Sequence, residues 1–584
     1  MGHAMEDALT RSIPRSVWHG WGDPTEMKPL RPDAWSYLTS RLGVQPLSTP
    51  RRPVQIDAVR VPTRRVDDEA IAELRTVVGH DLVRDDHDTR VRHAGGKSYP
   101  DMMRMWLGDG QEAPDAVVLP GTTDEIVQVL QICARRRIAV VPFGGGTSVV
   151  GGVAGTTGTD ATSAGASGFT GVISLDLRRL DRMVSCDQLS RTAVFQAGVR
   201  GPDIERALRP YGLTLGHYPQ SHQEATFGGY LATRSAGQAS TGYGRVDQQV
   251  IGVRMATPTG ELVVGGRSPA SAAGPRLHDM VLGSEGTLGV ISEATVRVQP
   301  MPTHKRYAAW LFGSFAAGSA ALRQLSQELG HGWIADVARL SDEDESEVTF
   351  MHAGPVGKAL LRYAGMRGLA RPCLLILVWE GTDDQILKAR QNACTPVLRQ
   401  AGGIAAPSMI AKAWEKHRFS GPYQRDYLMG HRILADTLET ATTWGNLADL
   451  HDRVGAAIRD ALTAKGGRCL VMCHVSHVYP AGASLYYTFA APEEQDPIAQ
   501  WAAVKAAACE AISAGGGTIT HHHAVGRDHR PYLAEELGDL GVRALHAVKR
   551  ELDPAGIMNP GKLLPALPGA HRVADPTSDP GQLS

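Results

Sequence analysis

The sequence predicts an α+β protein in which an N-terminal arm precedes two consecutive α+β domains. At 584 residues the chain is several times longer than the roughly 100–200 residues of an ordinary domain. From Asp115 onward a strand, an amphipathic helix, a second strand and a glycine-rich loop follow in AVVLPGTTDEIVQVLQICARRRIAVVPFGGGTS. Beyond residue 300, strands such as YAAWLFGSF and SLYYTFAAP are separated by helical stretches such as WAAVKAAACEAISAG.

Changes in composition and periodicity along the sequence divide the chain into four parts. Residues 1–112 carry Pro and Arg clusters and one helical pattern, DDEAIAELRTVVG, so we expect an arm that packs on a later domain. Residues 113–300 form the first α+β domain and residues 301–564 the second. Residues 565–584 have no periodicity and are predicted to be a disordered tail. The Gly, Ala, Ser and Thr run at Gly151–Gly171 predicts a mobile surface loop for the same reason.

Composition excludes several classes of protein. The chain has 60 basic and 61 acidic side chains and a formal net charge of −1, so nucleic acid is not an expected partner. Seven cysteines are an odd and sparse set, which fits a reducing compartment better than a disulfide scaffold. The first residues lack the apolar core of a signal peptide, and no run approaches the roughly 18 apolar residues of a membrane span. We expect a cytoplasmic protein, and peripheral contact with a membrane stays open.

The glycine loops are the first candidate binding elements. Pro142–Ser148 (PFGGGTS) directly follows a strand, so its backbone N–H groups can surround a pyrophosphate. The spacing matches neither GxGxxG nor GxxxxGK[ST]. One such loop alone is more often a simple turn. Ala225–Gly237 (ATFGGYLATRSAG) and Gly283–Gly289 (GSEGTLG) repeat the small-residue chemistry in the same domain, which favours one shared site.

In this order and spacing, the three loops and the closing LDPAGIMNPGKL resemble the FAD domain of vanillyl-alcohol-oxidase-type flavoproteins. The resemblance implies a two-subdomain, PCMH-type FAD-binding domain followed by an α+β cap domain. The glycine loop has Phe143 and no His or Cys, so the resemblance implies FAD that is bound non-covalently. It places the cofactor contacts at Pro142, Phe143, Gly144, Gly145, Gly146, Thr147, Ser148, Gln220, Ser221, Ala225, Thr226, Thr233, Arg234, Ser235, Ala236, Glu285, Gly286, Thr287, Leu288, Gly289, Val290 and Ile291.

Three adjacent histidines, His521, His522 and His523, lie between a glycine turn and Gly526. Histidine exchanges protons near neutral pH, so these residues are candidate general acid/base catalysts beside a flavin. Their internal position argues against a purification tag. Neighbouring side chains of an extended segment point to opposite faces, so at most two of the three can bind one ion, and we expect no metal.

The segments HHHAVG and CHVSHVYPAGASLYYTF resemble the alkyldihydroxyacetonephosphate synthase family, whereas related D-2-hydroxyacid dehydrogenases have EHGIG and HxGDGNxH elements there. The resemblance runs from WHGWGDP to NPGK. It implies that Tyr486 and the three histidines are catalytic, together with a flavin-side histidine at His217. It also implies substrate-binding or sensitive arginines at Arg425 and Arg339. One departure is Ala524, where the family usually has Gly.

The family resemblance implies a flavoenzyme that exchanges the acyl chain of acyl-dihydroxyacetone phosphate for a long-chain fatty alcohol. The exchange passes through a flavin N5 adduct without net redox, and the enzyme is a homodimer. An FAD-dependent dehydrogenase or oxidase of a 2-hydroxy acid or another alcohol is the alternative. A flavin-retaining binding protein is a third class, and the His, Tyr and Arg constellation argues against it.

Two of the site residues also have ordinary structural explanations. Tyr486 and Tyr487 occupy adjacent strand positions, so one faces the core, and packing alone accounts for such a pair about half the time. Arg425 beside Asp426 fits a surface ion pair worth less than about 1 kcal/mol. An arginine fork equally suits a phosphate or carboxylate of the substrate.

Overall fold

The computed structural model describes residues 17–45, 49–155, 168–329 and 334–567. This description leaves out the first 16 residues, most of Gly151–Gly171 and the tail beyond residue 567. What the sequence predicts for these segments stays a prediction. The strands in chain order are β1 Val83–Arg84, β2 Ala116–Val118, β3 Ile138–Phe143, β4 Gly171–Asp176, β5 Met183–Asp187, β6 Thr192–Gln196, β7 Leu213–Thr214, β8 Val250–Thr257, β9 Gly260–Gly265, β10 Val290–Arg297, β11 Gln299–Pro300, β12 His304–Phe312, β13 Val337–Ser341, β14 Cys373–Gly381, β15 Ile404–Ala406, β16 Ile433–Thr443, β17 Leu470–Val475 and β18 Gly482–Pro492.

Helices cover or connect these strands throughout the described ranges. The α-helices are Pro32–Leu42, Asp68–Val78, His87–Arg92, Tyr99–Trp106, Thr123–Arg136, Gly201–Leu208, Phe227–Ala232, Ser240–Tyr243, Val246–Gln249, Leu277–Val281, Phe315–Glu328, Glu343–His352, Pro355–Met366, Asp384–Gln400, Met409–His417, Gly421–Gly430, Leu447–Thr463, Pro497–Ala514 and Arg530–Leu552, the last of which is interrupted at Gly538. Short 3₁₀ turns are Pro24–Glu26, Ile56–Ala58, His80–Leu82 and Arg209–Tyr211. None of the helices in the described ranges combines the length and apolar character needed to cross a bilayer.

The first α+β domain contains two sheets, as a two-subdomain cofactor domain requires. The four-stranded sheet has the order β1–β2–β4–β3, with β2, β4 and β3 parallel. The helix Thr123–Arg136 joins β2 to β3 as a crossover, and its apolar face packs on the sheet. The five-stranded sheet β5–β6–β10–β8–β9 is entirely antiparallel. A two-stranded pair, β11 with β7, completes this half.

The N-terminal segment is divided between the two domains. Leu38 and Leu42 pack with Ile433 and Leu470 of the second domain, so this part of the predicted arm does lie against a later domain. The predicted helix forms at Asp68–Val78 and packs with the first sheet. Strand β1 also belongs to that sheet, so the sheet extends beyond the 113–300 segment expected for this domain.

The second domain is built on a seven-stranded antiparallel sheet, β15–β12–β14–β13–β17–β18–β16. Its interior strand β14 is covered on both faces, because Leu375 and Leu377 lie in one core cluster and Leu374 and Ile376 lie in another. Burial on both faces explains why this strand appears in the sequence as an uninterrupted apolar run. The strands β17 and β18 instead turn one face toward a cavity.

The closing LDPAGIMNPGKL segment returns to the first sheet. Ile557 and Met558 are fully buried in its core, and Val140 of β3 donates its N–H to the Ile557 carbonyl. The Asn559 side chain donates to the carbonyl oxygen of Glu285 at 2.7 Å. The closing segment therefore supports β3 just before the chain enters the glycine loop. This contact explains why the segment packs in the cofactor domain.

Candidate active site

A cavity of 1370 Å³ lies between the loops of the first domain and the large sheet of the second. Small-molecule sites in proteins usually occupy roughly 300–1,000 Å³. The cavity is thus large enough for a dinucleotide cofactor and a second ligand together. Both domains supply its walls, and most residues that the sequence marks as functional line it. They are Pro142, Phe143, Gly144, Gly145, Gly146, Thr147, Ser148, Gln220, Ser221, Ala225, Thr226, Thr233, Ser235, Ala236, Glu285, Gly286, Gly289, Val290, Ile291, Arg339, Arg425, Tyr486, His522 and His523.

Five expected site residues are not among the lining residues. Arg234 donates from Nε to the Leu282 carbonyl, and Leu288 is buried in the core of the five-stranded sheet. Thr287 donates its hydroxyl to a backbone carbonyl of its own turn. His217 is 1% exposed and lies behind the cavity wall, where its Nε2 is 3.2 Å from Ser235 Oγ and its ring contacts Tyr230. The fifth, His521, lies one layer behind the wall.

The glycine loop packs directly on the neighbouring segment, which accounts for its lack of side chains. A Cβ on Gly144 would lie 2.2 Å from Thr226 Oγ1, and one on Gly145 would lie 2.1 Å from the Glu224 carbonyl oxygen. Gly146 has φ +66°, a conformation that glycine adopts without strain. Two of the three predicted cofactor loops therefore meet in one wall, as expected for a shared site. This cradle of small residues fits the pyrophosphate of FAD.

Glu285 connects the cofactor domain to the histidine loop. Its buried carboxylate accepts the N–H groups of Val525 and Gly526, each at 2.7 Å, immediately after the histidine triplet. Burial raises the pKa of Glu285 to about 7, against the effect of these two donors. Its side chain is therefore committed to positioning the loop.

A second carboxylate, Glu439 of β16, holds the histidine triplet itself. Its oxygens accept the N–H groups of His521 at 2.7 Å, His522 at 3.1 Å and His523 at 2.9 Å. The Thr520 hydroxyl donates to it as well, at 2.6 Å. Burial alone would raise the pKa of Glu439, but the three histidines and Thr520 hold it well below its usual range. The carboxylate is therefore charged at neutral pH.

The histidine rings form a hydrogen-bonded cluster. His521 Nδ1 lies 3.1 Å from His522 Nδ1, and His521 Nε2 lies 2.7 Å from the hydroxyl of Tyr479. His477 Nδ1 pairs with Ser240 Oγ at 2.5 Å, and its ring stacks on His521 with centroids 4.9 Å apart. Burial lowers the pKa of His521 to about 3 and also lowers that of His522. Both rings are therefore neutral at pH 7, and each has one nitrogen without a hydrogen.

Tyr486 lies among aromatic rings at the cavity wall. Its ring is stacked with His474 at 4.8 Å and with His522 at 6.0 Å between centroids. Burial raises the pKa of Tyr486 to about 12, so the phenol is protonated at neutral pH. Tyr487 points the other way into the core and donates its hydroxyl to the His451 carbonyl at 3.1 Å. The strand alternation expected from the sequence is confirmed.

The two predicted arginines line different parts of the cavity. Arg339 of β13 donates to Glu345 at 2.6 Å and lies 3.0 Å from His474 Nε2, which stacks on Tyr486. Arg425 donates to the Lys97 carbonyl at 2.5 Å, and its Nε has no hydrogen-bond partner among the described residues.

The pair of Arg425 and Asp426 is not a surface ion pair. Asp426 is 7% exposed and accepts the Trp21 N–H.

The nitrogens of His477, His521 and His522 lie within 4.8 Å of one another, close enough for a shared ion. Ser240 and Tyr479 already occupy one ring nitrogen each of His477 and His521. We therefore keep the expectation that no metal is needed.

Prolonged treatment of the FAD-loaded protein with EDTA should leave its turnover and melting temperature unchanged. Loss of turnover that zinc or another divalent ion restores would refute it.

Sequence comparisons agree with this architecture. Residues 114–266 match the FAD binding domain family, and residues 301–563 match the C-terminal domain family of FAD linked oxidases. The chain is 31% identical to alkyldihydroxyacetonephosphate synthase of Trypanosoma brucei brucei over 97% of this chain and 95% of that protein. It is 29% identical to the Dictyostelium discoideum enzyme of the same name, over 94% and 93% of the two chains.

A solved structure of alkyldihydroxyacetonephosphate synthase superposes with a TM-score of 0.79 at 27% identity and covers 94% of this chain and 99% of that one. The α+β fold with its two-part FAD-binding domain and second domain is thus confirmed. The fold and the cofactor cradle define an FAD-dependent flavoenzyme of the vanillyl-alcohol-oxidase type. Within that class, the chain belongs to the alkyldihydroxyacetonephosphate synthase family.

The structure also reveals site residues that the sequence pattern does not mark. Glu439 lies in the strand ILADTLETATT, and His477 and Tyr479 lie in the turn between β17 and β18. The one signal for Glu439 is an acidic residue within a strand, because buried carboxylates need partners; the same strand also carries the buried Asp436. Nothing in the sequence pattern distinguishes Tyr479 from an ordinary turn residue.

Proposed function

We propose that this protein exchanges the acyl chain of acyl-dihydroxyacetone phosphate for a long-chain fatty alcohol, without net redox. The observation that carries the proposal is a cavity that joins a polar His, Tyr and Arg cluster to apolar walls. Those walls include Leu38, Val348, Leu360, Ile410, Trp414 and Met472. Apolar walls suit two hydrocarbon chains, and the polar cluster suits the phosphorylated head group.

Each polar residue has a role that its surroundings support. Arg425 lines the cavity, and its guanidinium anchors the phosphate. Tyr486 removes and returns a proton at the reacting substrate carbon. Its phenol is protonated at rest, so it first gives its hydroxyl hydrogen to one of the neutral histidines beside it. Bound FAD supplies the isoalloxazine ring as the electrophilic partner of the exchange. The glycine loop and the Glu285 segment hold that cofactor non-covalently.

The cavity opening supports peripheral contact with a membrane as part of the same proposal. Met409 and Val356 line the cavity and are more than half exposed, at 58% and 53%. Lys28 and Lys416 also belong to the lining. Apolar side chains beside lysines suit an interface with anionic lipid, from which long-chain substrates can enter.

The test is anaerobic turnover by purified, FAD-loaded protein with palmitoyl-dihydroxyacetone phosphate and hexadecanol. We expect alkyl product and free palmitate in equal amounts, with no lasting bleaching of the flavin absorbance. The alternative function is an FAD-linked oxidation, which the match to FAD linked oxidases favours. Bleaching by a D-2-hydroxy acid, with no alkyl product from the lipid pair, would establish that alternative instead.

A further inference from the structure

A chain of polar side chains connects the cavity with the protein surface. His522 lines the cavity, His521 lies behind it, and Tyr479 is partly exposed on the turn between β17 and β18. The next two residues of that turn, Pro480 and Ala481, are exposed. The two links of the chain are His522 Nδ1 to His521 Nδ1 at 3.1 Å and His521 Nε2 to the Tyr479 hydroxyl at 2.7 Å. Both are hydrogen-bond distances, so the path is continuous.

The proposed exchange produces one proton in a largely apolar space. The bond between the dihydroxyacetone carbon and the ester oxygen breaks, and a bond from that carbon to the alcohol oxygen forms. The alcohol hydrogen is left over. The fatty acid leaves as a carboxylate, because a carboxyl group with a pKa near the ~4.3 of Glu is ionised at pH 7. Each turnover thus releases one proton. The apolar side chains of the cavity walls have no group that can accept this proton.

We propose that His522, His521 and Tyr479 form a relay that delivers this proton from the cavity to solvent. The inference rests on the proposed function. His522 takes up the proton and donates from Nδ1 to His521 Nδ1, while His521 donates its Nε2 hydrogen to the Tyr479 oxygen. Tyr479 passes its own hydroxyl hydrogen to water, so one proton enters and one leaves without the phenol remaining ionised.

A charged neighbour favours uptake of the proton by His522, the first group of the relay. The Glu439 carboxylate lies 3.5 Å from His522 Nδ1 and stabilises the imidazolium that forms there. Arg245 donates to the His521 carbonyl at 3.3 Å and is paired with Asp247. Arg245 also opposes the rise in the pKa of Tyr479 that burial causes. The other titratable groups facing these rings are His217, His474, His477, Tyr486 and His523.

The test replaces Tyr479 with Phe, which keeps the ring and removes the last group of the relay. We expect kcat to fall by about 10-fold or more in dilute, non-nucleophilic buffer, with KM and the flavin spectrum unchanged. Added imidazole, a small base that reaches the exposed turn, should restore most of the lost kcat. His521→Gln interrupts the relay one step earlier and should show a similar deficit. Tyr211→Phe, at a tyrosine that is 40% exposed, is the matched control and should behave as wild type.

The outcomes separate the relay from the proposed function. If the wild-type protein yields no alkyl product, the proposed function fails and the relay fails with it. If the wild type is active but Tyr479→Phe keeps full kcat at every buffer concentration, the relay alone is refuted. A deficit that imidazole does not relieve, or that appears in KM, would show a packing role for Tyr479 and would also refute the relay.

Discussion

Replacing Tyr486 with Phe is expected to lower kcat by a factor of about 10² to 10⁴, the usual contribution of a positioned acid/base group. The substitution removes one hydroxyl and keeps the ring stacked with His474 and His522. FAD should therefore remain bound with an unchanged absorbance spectrum. The measurement is anaerobic product formation from the acyl and alcohol substrates, alongside the flavin spectrum and the melting temperature.

The adjacent Tyr487 provides a matched control. Tyr487→Phe removes a hydroxyl from the opposite face of the same strand, where it donates to the His451 carbonyl. That loss should cost about 1 kcal/mol of unfolding free energy and leave kcat near the wild-type value. Wild-type kcat in Tyr486→Phe, or equal losses in both variants, would remove Tyr486 from the proposed chemistry.

Local sequence pattern is enough to predict much of this site. The alternation of side chains along a strand by itself places Tyr486 and Tyr487 on opposite faces. Three runs of small residues identify the cofactor loops, because a backbone that approaches another backbone as closely as Gly145 approaches Glu224 must lack Cβ atoms. The family resemblance predicts the cofactor and the fold, and the comparisons confirm both.

Long-range pairing is what the sequence pattern cannot show. Glu439 precedes His521 by 82 positions, and only the register of β16 with β18 places it opposite Tyr486. Strand β1 has two residues, too few for any periodic pattern, yet it completes the first sheet. In the sequence, Arg425 resembles half of a surface ion pair because its neighbour is Asp426. Burial of that aspartate against Trp21 depends on the N-terminal segment folding back over about 400 residues.

The carboxylate of Glu439 leads to the second large effect, on stability and activity together. Glu439→Gln keeps the volume but replaces a charged acceptor with an amide whose NH₂ group must face backbone donors. Hydrogen bonds to charged groups contribute about 1.5–3 kcal/mol each, so we expect the free energy of unfolding to fall by about 3 kcal/mol. Displacing the His522 ring by even about 1 Å costs on the order of 100-fold in rate, and kcat should fall at least that far.

Glu536 allows these effects to be attributed to the buried charge. It accepts the Thr518 hydroxyl at 2.7 Å and the Ile519 N–H at 3.0 Å, so it supports the same loop from an exposed helix. Because Glu536 is exposed, water can replace the hydrogen bonds that its carboxylate loses. Glu536→Gln should therefore lower the free energy of unfolding by less than about 1 kcal/mol and leave kcat nearly unchanged. Both variants are compared by denaturant unfolding and by turnover well below the melting transition. If Glu439→Gln matches Glu536→Gln in both, the histidine triplet is held by its own turn rather than by the carboxylate beneath it.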